Sequence, residues 1–198
     1  MMLIAALVGC GAKSPDSQDS AQVQISPKAI AAVILDHIDQ PERHSSGSPA
    51  GECHSDVCTG KEPIRVQGRV DVRGGSIEVT ILERRGSGGP GVFTHCDRSG
   101  YDACRERREP SGDLLISSYT LVEPEEDPGI VSETMVRRHE IVTAQFFGPA
   151  IEKDPATLDL PVSQNQLRSI VRDPRLGLKT DRTTVAAGDR LKHWRNDG

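Results

Sequence analysis

The sequence predicts an α+β fold: an antiparallel β-sheet of about four to six strands with two short helices on one face. Three observations predict it. Val66, Val70 and Val72, then Ile77, Val79 and Ile81, alternate with polar residues at the period of a half-buried strand. Ser26-Pro27 and Ser163-Gln164-Asn165-Gln166 are helix starts. A second hairpin is expected around Pro110-Ser111-Gly112-Asp113, followed by a β-rich run from Leu114 to Val122. An apolar content of 35% in 198 residues suits one modest core, so one domain is expected over residues 26–178.

In chain order, Ile30, Val33, Ile34, His37 and Ile38 recur at helical spacing until Pro41 stops the run. His37, between Asp36 and Asp39, is conceivable as a metal ligand or acid-base group. Without a second ligand at i+4 it reads as a structural histidine beside a carboxylate. Residues 42–63 are rich in Ser, Gly and Pro and read as a loop. Gly74-Gly75 suggest a two-residue primed turn that pairs Val72 with Ile77, Val70 with Val79 and Gly68 with Ile81.

Pro110-Ser111-Gly112-Asp113 is the turn of a second hairpin. Its first arm, Arg105 to Glu109, is charged as an edge strand should be, and its second runs from Leu114 to Val122. Residues 123–129 form an acidic loop, and a further strand is expected from about His139 to Phe147. Ser163 and Gln166 make a capping box, Val162 staples onto Leu167, and the helix ends before Asp173-Pro174. Residues 179–198 show no clear period and read as a weakly ordered tail in which Leu191 and Trp194 alone can dock.

Leu7-Val8-Gly9-Cys10 follows a wholly uncharged run and resembles the lipobox of bacterial lipoproteins. The resemblance covers about a dozen residues. It implies a signal remnant over 1–9, thioether diacylation of Cys10, anchoring in the lipid bilayer, and exposure on the extracytoplasmic face of the cell membrane. A basic n-region is missing, which places the expected start upstream; the competing reading is a short buried strand with an ordinary cysteine. Residues 10–25 then serve as anchor and linker, since a Ser- and Asp-rich run buries no core. Eighteen Arg against six Lys is a bias common in high-GC actinomycete proteins, whose many exported lipoproteins this chain resembles.

Export makes Cys53, Cys58, Cys96 and Cys104 an even set for two disulfides, and local pairing of Cys53 with Cys58 and Cys96 with Cys104 needs least chain closure. A zinc site aided by His54 and His95 is the alternative, with spacings unlike the usual zinc knuckles. Gly86-Ser87-Gly88-Gly89-Pro90-Gly91 matches a dinucleotide fingerprint formally, but a strand is expected after it where a helix is needed. His139-Glu140 begins a zinc-protease motif that Thr143 breaks. No nucleophile elbow is present.

The three doublets Arg84-Arg85, Arg107-Arg108 and Arg137-Arg138 flank strand ends. If they converge, their guanidinium groups hold phosphate or carboxylate; otherwise they are solvated edge charge. Aromatic content of 3% argues against single-stranded nucleic acid, and intermingled charge with a net of -5 is no duplex footprint. The expected function is a non-catalytic binding or accessory domain of the cell envelope. An anionic envelope component or another envelope protein is its expected partner, and no cofactor is expected. Alternatives are a hydrolase whose residues converge only in space, and a disulfide-bonded inhibitor using the Gly86–Gly91 segment.

Overall fold

A computed structural model describes residues 21–38, 41–47, 63–84, 94–96, 100–122, 129–148 and 151–196. After the short strand β1 (Val23–Gln24), Ser26 caps α1 (Pro27–Asp36): its Oγ accepts the Ala29 N–H at 3.2 Å, and Pro27 occupies the first turn. Ala29 to Ile34 are all buried, so α1 is apolar on every side and needs cover on every side. A sheet supplies one cover. The other is α3 (Arg182–Asp189), which packs against α1.

The sheet has eight strands: β2 (Pro41–Gly47), β3 (Arg65–Val72), β4 (Gly75–Glu83), β5 (Ala103–Arg108), β6 (Leu114–Thr120), β7 (Ile130–Val136), β8 (Glu140–Phe147) and β10 (Trp194–Asn196). Their order is β10-β2-β3-β4-β8-β7-β6-β5, antiparallel throughout except for the parallel pair β10-β2. β9 (Lys179–Thr180) pairs with β1 in a separate two-stranded ribbon. The α+β class holds, with a wider sheet and three helices among the described residues rather than two.

Val66, Val70, Val72, Ile77, Val79, Ile81, Val142, Ala144, Phe146, Val131 and Leu115 share one sheet face and one core with α1 and α2 (Gln164–Arg172). Burying a side chain of this size stabilises by about 1.5–3 kcal/mol, so this helix-covered face carries most of the fold. α2 keeps its expected start. Ser163 and Gln166 cap each other reciprocally, Val162 and Leu167 lie in the same core, and Asp173 ends the helix before Pro174.

The first hairpin is shifted from its expected register. Val72 pairs with Gly75, Val70 with Ile77 and Gly68 with Val79, so Arg73-Gly74 is the turn. Only Gly74 of these two has positive φ, 76°, which is the sign pattern of a type II turn rather than a primed one. The slip is two residues, and the side-chain period is two, so every valine and isoleucine keeps its face. The second hairpin turns at Gly112, φ 89°, between Arg108 and Leu114 as expected.

Three expectations are corrected. Residues 41–47 are strand, not loop: Ser45 and Ser46 carry no apolar alternation, yet they pair with Val70 and Arg69. β7 went unrecognised because Ser132, Glu133 and Thr134 interrupt its apolar pattern. Residues 179–196 are ordered into β9, α3 and β10, and Leu191 and Trp194 do pack against the core. Asp181 caps α3 by accepting from Thr184 N–H at 2.7 Å. Ordering comes from α1, whose outer side α3 must cover.

Candidate functional site

The second sheet face, away from the helices, positions the arginines. At one end of the sheet a single register row runs Arg65, Leu82, Ile141, Val136, Leu114, Arg108. Leu114, Ile116, Val136 and Ile141 form a small apolar cluster there, packed with the Cys96–Cys104 disulfide. Just beyond that row, alternation carries Arg84 after Leu82 to the same face, and Arg138 stands in the turn between β7 and β8. Arg84, Arg108, Arg137 and Arg138 line one recess of about 330 Å³ with Thr94, His95 and Asp113, beside Leu114 and Val136.

Alternation splits the Arg107-Arg108 doublet between the two faces. Arg107 takes the helix face, where it meets Glu109 at 2.9 Å, and Glu109 receives two hydrogen bonds from Arg172 of α2. Those bonds hold the Glu109 carboxyl below its usual range, the Arg172 contact first and Arg107 after it. Arg137 is an internal clamp. Its guanidinium donates to Glu140 at 2.9 Å and to the carbonyls of Val171, Asp173 and Leu176, tying the end of α2 to the sheet. Arg84 donates to the Arg137 carbonyl at 3.2 Å and Arg108 to the Gly112 carbonyl at 3.3 Å. Each retains further N–H donors, since a guanidinium carries five. Arg85 lies outside the described residues.

One wall of the recess is covalently fixed. Cys96 and Cys104 form a disulfide, with Cα atoms 5.5 Å apart, as local pairing requires. Glu106 reinforces it, accepting the Cys96 N–H at 2.7 Å with His95 Nδ1 at 3.4 Å. Thr94 and His95 are thereby held against the arginines. With both sulfurs in that bond, neither is a thiolate for zinc, and no group of three or more candidate ligands occurs among the described residues. Cys10, Cys53, Cys58, His54 and the Gly86–Gly91 segment lie outside the described residues.

Other polar clusters have structural work. His37 Nε2 and Asp173 Oδ2 are 2.9 Å apart, joining the ends of α1 and α2, while Arg175 bridges Asp173 and Asp36. Burial pushes the Asp173 carboxyl up, but the hydrogen bonds from Arg175 and His37 outweigh it and hold the group at about 2. Glu133, fully buried beneath α2, accepts from Ser117 at 2.8 Å and Arg168 at 2.9 Å, and desolvation raises its pKa despite them. His139-Glu140 sits at the start of strand β8, where Glu140 braces Arg137 and accepts the Leu178 N–H, so the zinc-protease pattern has no helix to act on.

The chain matches no protein-family model, and neither a curated protein nor a solved structure is similar to it. Among the described residues, no helix is long and apolar enough to cross a membrane. Sequence reasoning named the doublets but not their division between faces. Part of the signal was present: Leu82-x-Arg84 continues the alternation of its strand, whereas Arg138 follows β7 in a turn.

Proposed function

We propose that the protein is an envelope-anchored, non-catalytic binding domain, tethered through an acylated Cys10 and presenting an anion-binding recess at one end of its sheet. The observation that carries the reading is the convergence of Arg84, Arg108 and Arg138 on one recess beside Leu114 and Val136. Three chain segments deliver them, the ends of β4 and β5 and the turn after β7, with the disulfide-held wall beside them. Such a frame keeps donors in place before a ligand arrives, which lowers the ordering cost of binding. A guanidinium is suited to phosphate or carboxylate because its planar fork donates two parallel hydrogen bonds. The hydrolase alternative has no supporting geometry among the described residues, where the His37–Asp173 pair serves as a brace.

Titration of the full chain with inorganic phosphate, at about 0.1 M and about 1 M salt, tests the recess. Binding is expected to weaken with salt, because the Debye length falls from about 10 Å to about 3 Å over that range. Arg108→Ala should weaken binding about tenfold or more, and Arg108→Lys should recover part of the loss. Arg107→Ala, on the opposite face, should leave it unchanged. Equal losses at Arg107 and Arg108, or binding indifferent to salt, overturn the reading.

A further inference from the structure

We propose that the outer edge of β5 docks an extended acidic segment of a partner protein, which adds to the sheet as a further strand with carboxylates at alternate positions facing Arg105 and Arg107. β5 ends the strand order, and among the described residues only β6 pairs with it. Glu109 donates its N–H to the Asp113 carbonyl inside the hairpin. Alternation therefore turns the N–H and C=O groups of Arg105 and Arg107 towards β6, and those of Cys104, Glu106 and Arg108 outwards. Outward donors and acceptors in a row are answered by the backbone of another extended chain, which neither a nucleic acid nor a lipid surface offers. The edge is also held ready. β6 pairs along the whole of β5 and the disulfide fastens Cys104 to Cys96, so little ordering remains when a strand arrives.

Charge selects the partner. Arg105 lies in register with Ser117 and Glu133, and Arg107 with the core residue Leu115, so both take the helix-covered side; Glu106 and Arg108 take the other. On the helix side Arg107 and Arg172 share the carboxylate of Glu109, and Arg168 is answered by Glu133. The exposed Arg105 has no hydrogen bond or ion pair among the described residues. On the other side β5 carries one charge of each sign. The cationic surplus of the strand thus faces the helices at two positions one pleat repeat apart, and a partner strand meets it with a carboxylate on every second residue. The same charges turn other strands away. Two copies of β5 paired antiparallel about Glu106 would oppose Arg105 to Arg107 and Glu106 to Glu106, which disfavours self-association in that register.

The test is amide hydrogen exchange and titration calorimetry of the full chain with a peptide of about eight residues alternating glutamate with threonine. Binding is expected to slow exchange at the outward amides of Cys104, Glu106 and Arg108. The same peptide with lysine for glutamate should not bind, and one with proline at its centre, which removes a ladder donor, should lose most of its affinity. Arg105→Glu should weaken the acidic peptide about tenfold by turning an attractive cross-strand pair into a repulsive one. Phosphate binding in the recess should be unchanged in that variant, because Arg105 is on the opposite face, so the edge and the recess stand or fall separately. No binding of the acidic peptide, equal binding of the lysine or proline peptide, or undiminished affinity in Arg105→Glu overturns the proposal. Slow exchange at the three amides before any peptide is added also overturns it, since the edge is then already paired.

Discussion

Asp173 receives hydrogen bonds from the Arg175 side chain and backbone and pairs with His37. It caps α2 while His37 caps α1, so one carboxylate fastens two helix ends across a separation of 136 residues. Its folded pKa, about 2, is depressed below its unfolded value. The stabilisation is therefore present above about pH 4 and is lost as pH falls towards 2; a shift of this size corresponds to on the order of 2 kcal/mol. Asp173→Asn should lower the urea midpoint at pH 7 and flatten the acid limb between pH 4 and 2. An acid limb as steep as that of the unaltered chain would place the linkage on other carboxylates. Glu133 has the opposite sign. Its pKa is raised by burial, so whatever stability it gives is greatest when it is protonated and declines as pH rises through its folded pKa. Arg168→Met removes its counter-ion and should destabilise by about 3 kcal/mol at pH 7, because a buried charge then stands unpaired. The loss should shrink at pH 4, where the carboxyl takes up a proton, and urea unfolding at the two values measures it.

Among the elements, α3 explains why α1 is apolar all round. The two helices approach so closely at Gly188 that a Cβ there would stand 2.5 Å from the Ala29 nitrogen and the Lys28 carbonyl carbon. Backbone cannot yield as a side chain does. Gly188→Ala should therefore destabilise by about 1–3 kcal/mol, although alanine is the better helix former, because the helices must part. Thermal unfolding with an unchanged or raised midpoint would show that the α1–α3 contact is loose. The disulfide works at the same scale. Closing the short loop between Cys96 and Cys104 contributes about 2–3 kcal/mol through the unfolded chain, and it also holds His95 beside the arginines. Replacing both cysteines with Ser should cost stability of that order and weaken phosphate binding, read by denaturant unfolding and calorimetry on the same protein.

For the molecule as a whole, one sheet serves two purposes. Its helix-covered face holds the core, while the other face gathers cations at one end, so changes to the recess should leave the fold intact. Anchoring is separable from both. Cys10→Ala should move the chain from membrane to soluble fraction without altering its phosphate affinity. Membrane fractionation unchanged by that substitution would remove the lipid anchor from the proposed function and leave the recess standing.

Local chemistry was enough for the sequence to determine some features of this protein. Ser26-Pro27 and the Ser163–Gln166 capping box act over three residues, the alternating valines and isoleucines act through a period of two, and the Cys96–Cys104 bridge joins neighbours in the chain. Each of these was legible because its partners are close in sequence. Tertiary structure decided the rest. Residues 182–189 are a helix because α1 presents an apolar outer side to them; β7 pairs as a strand although Glu133 interrupts it, because Arg168 arrives from α2 to answer the charge. Even the hairpin register was settled by a competition that local signals left open between Gly74 and Gly75 as turn centre, with β8 pairing along the other edge of β4. The recess shows the same division. Alternation sets Arg107 and Arg108 on opposite faces, but only the order β4-β8-β7-β6-β5 brings the ends of strands far apart in the chain to one side of the sheet, where like charges that would repel in an open chain are held together by backbone pairing.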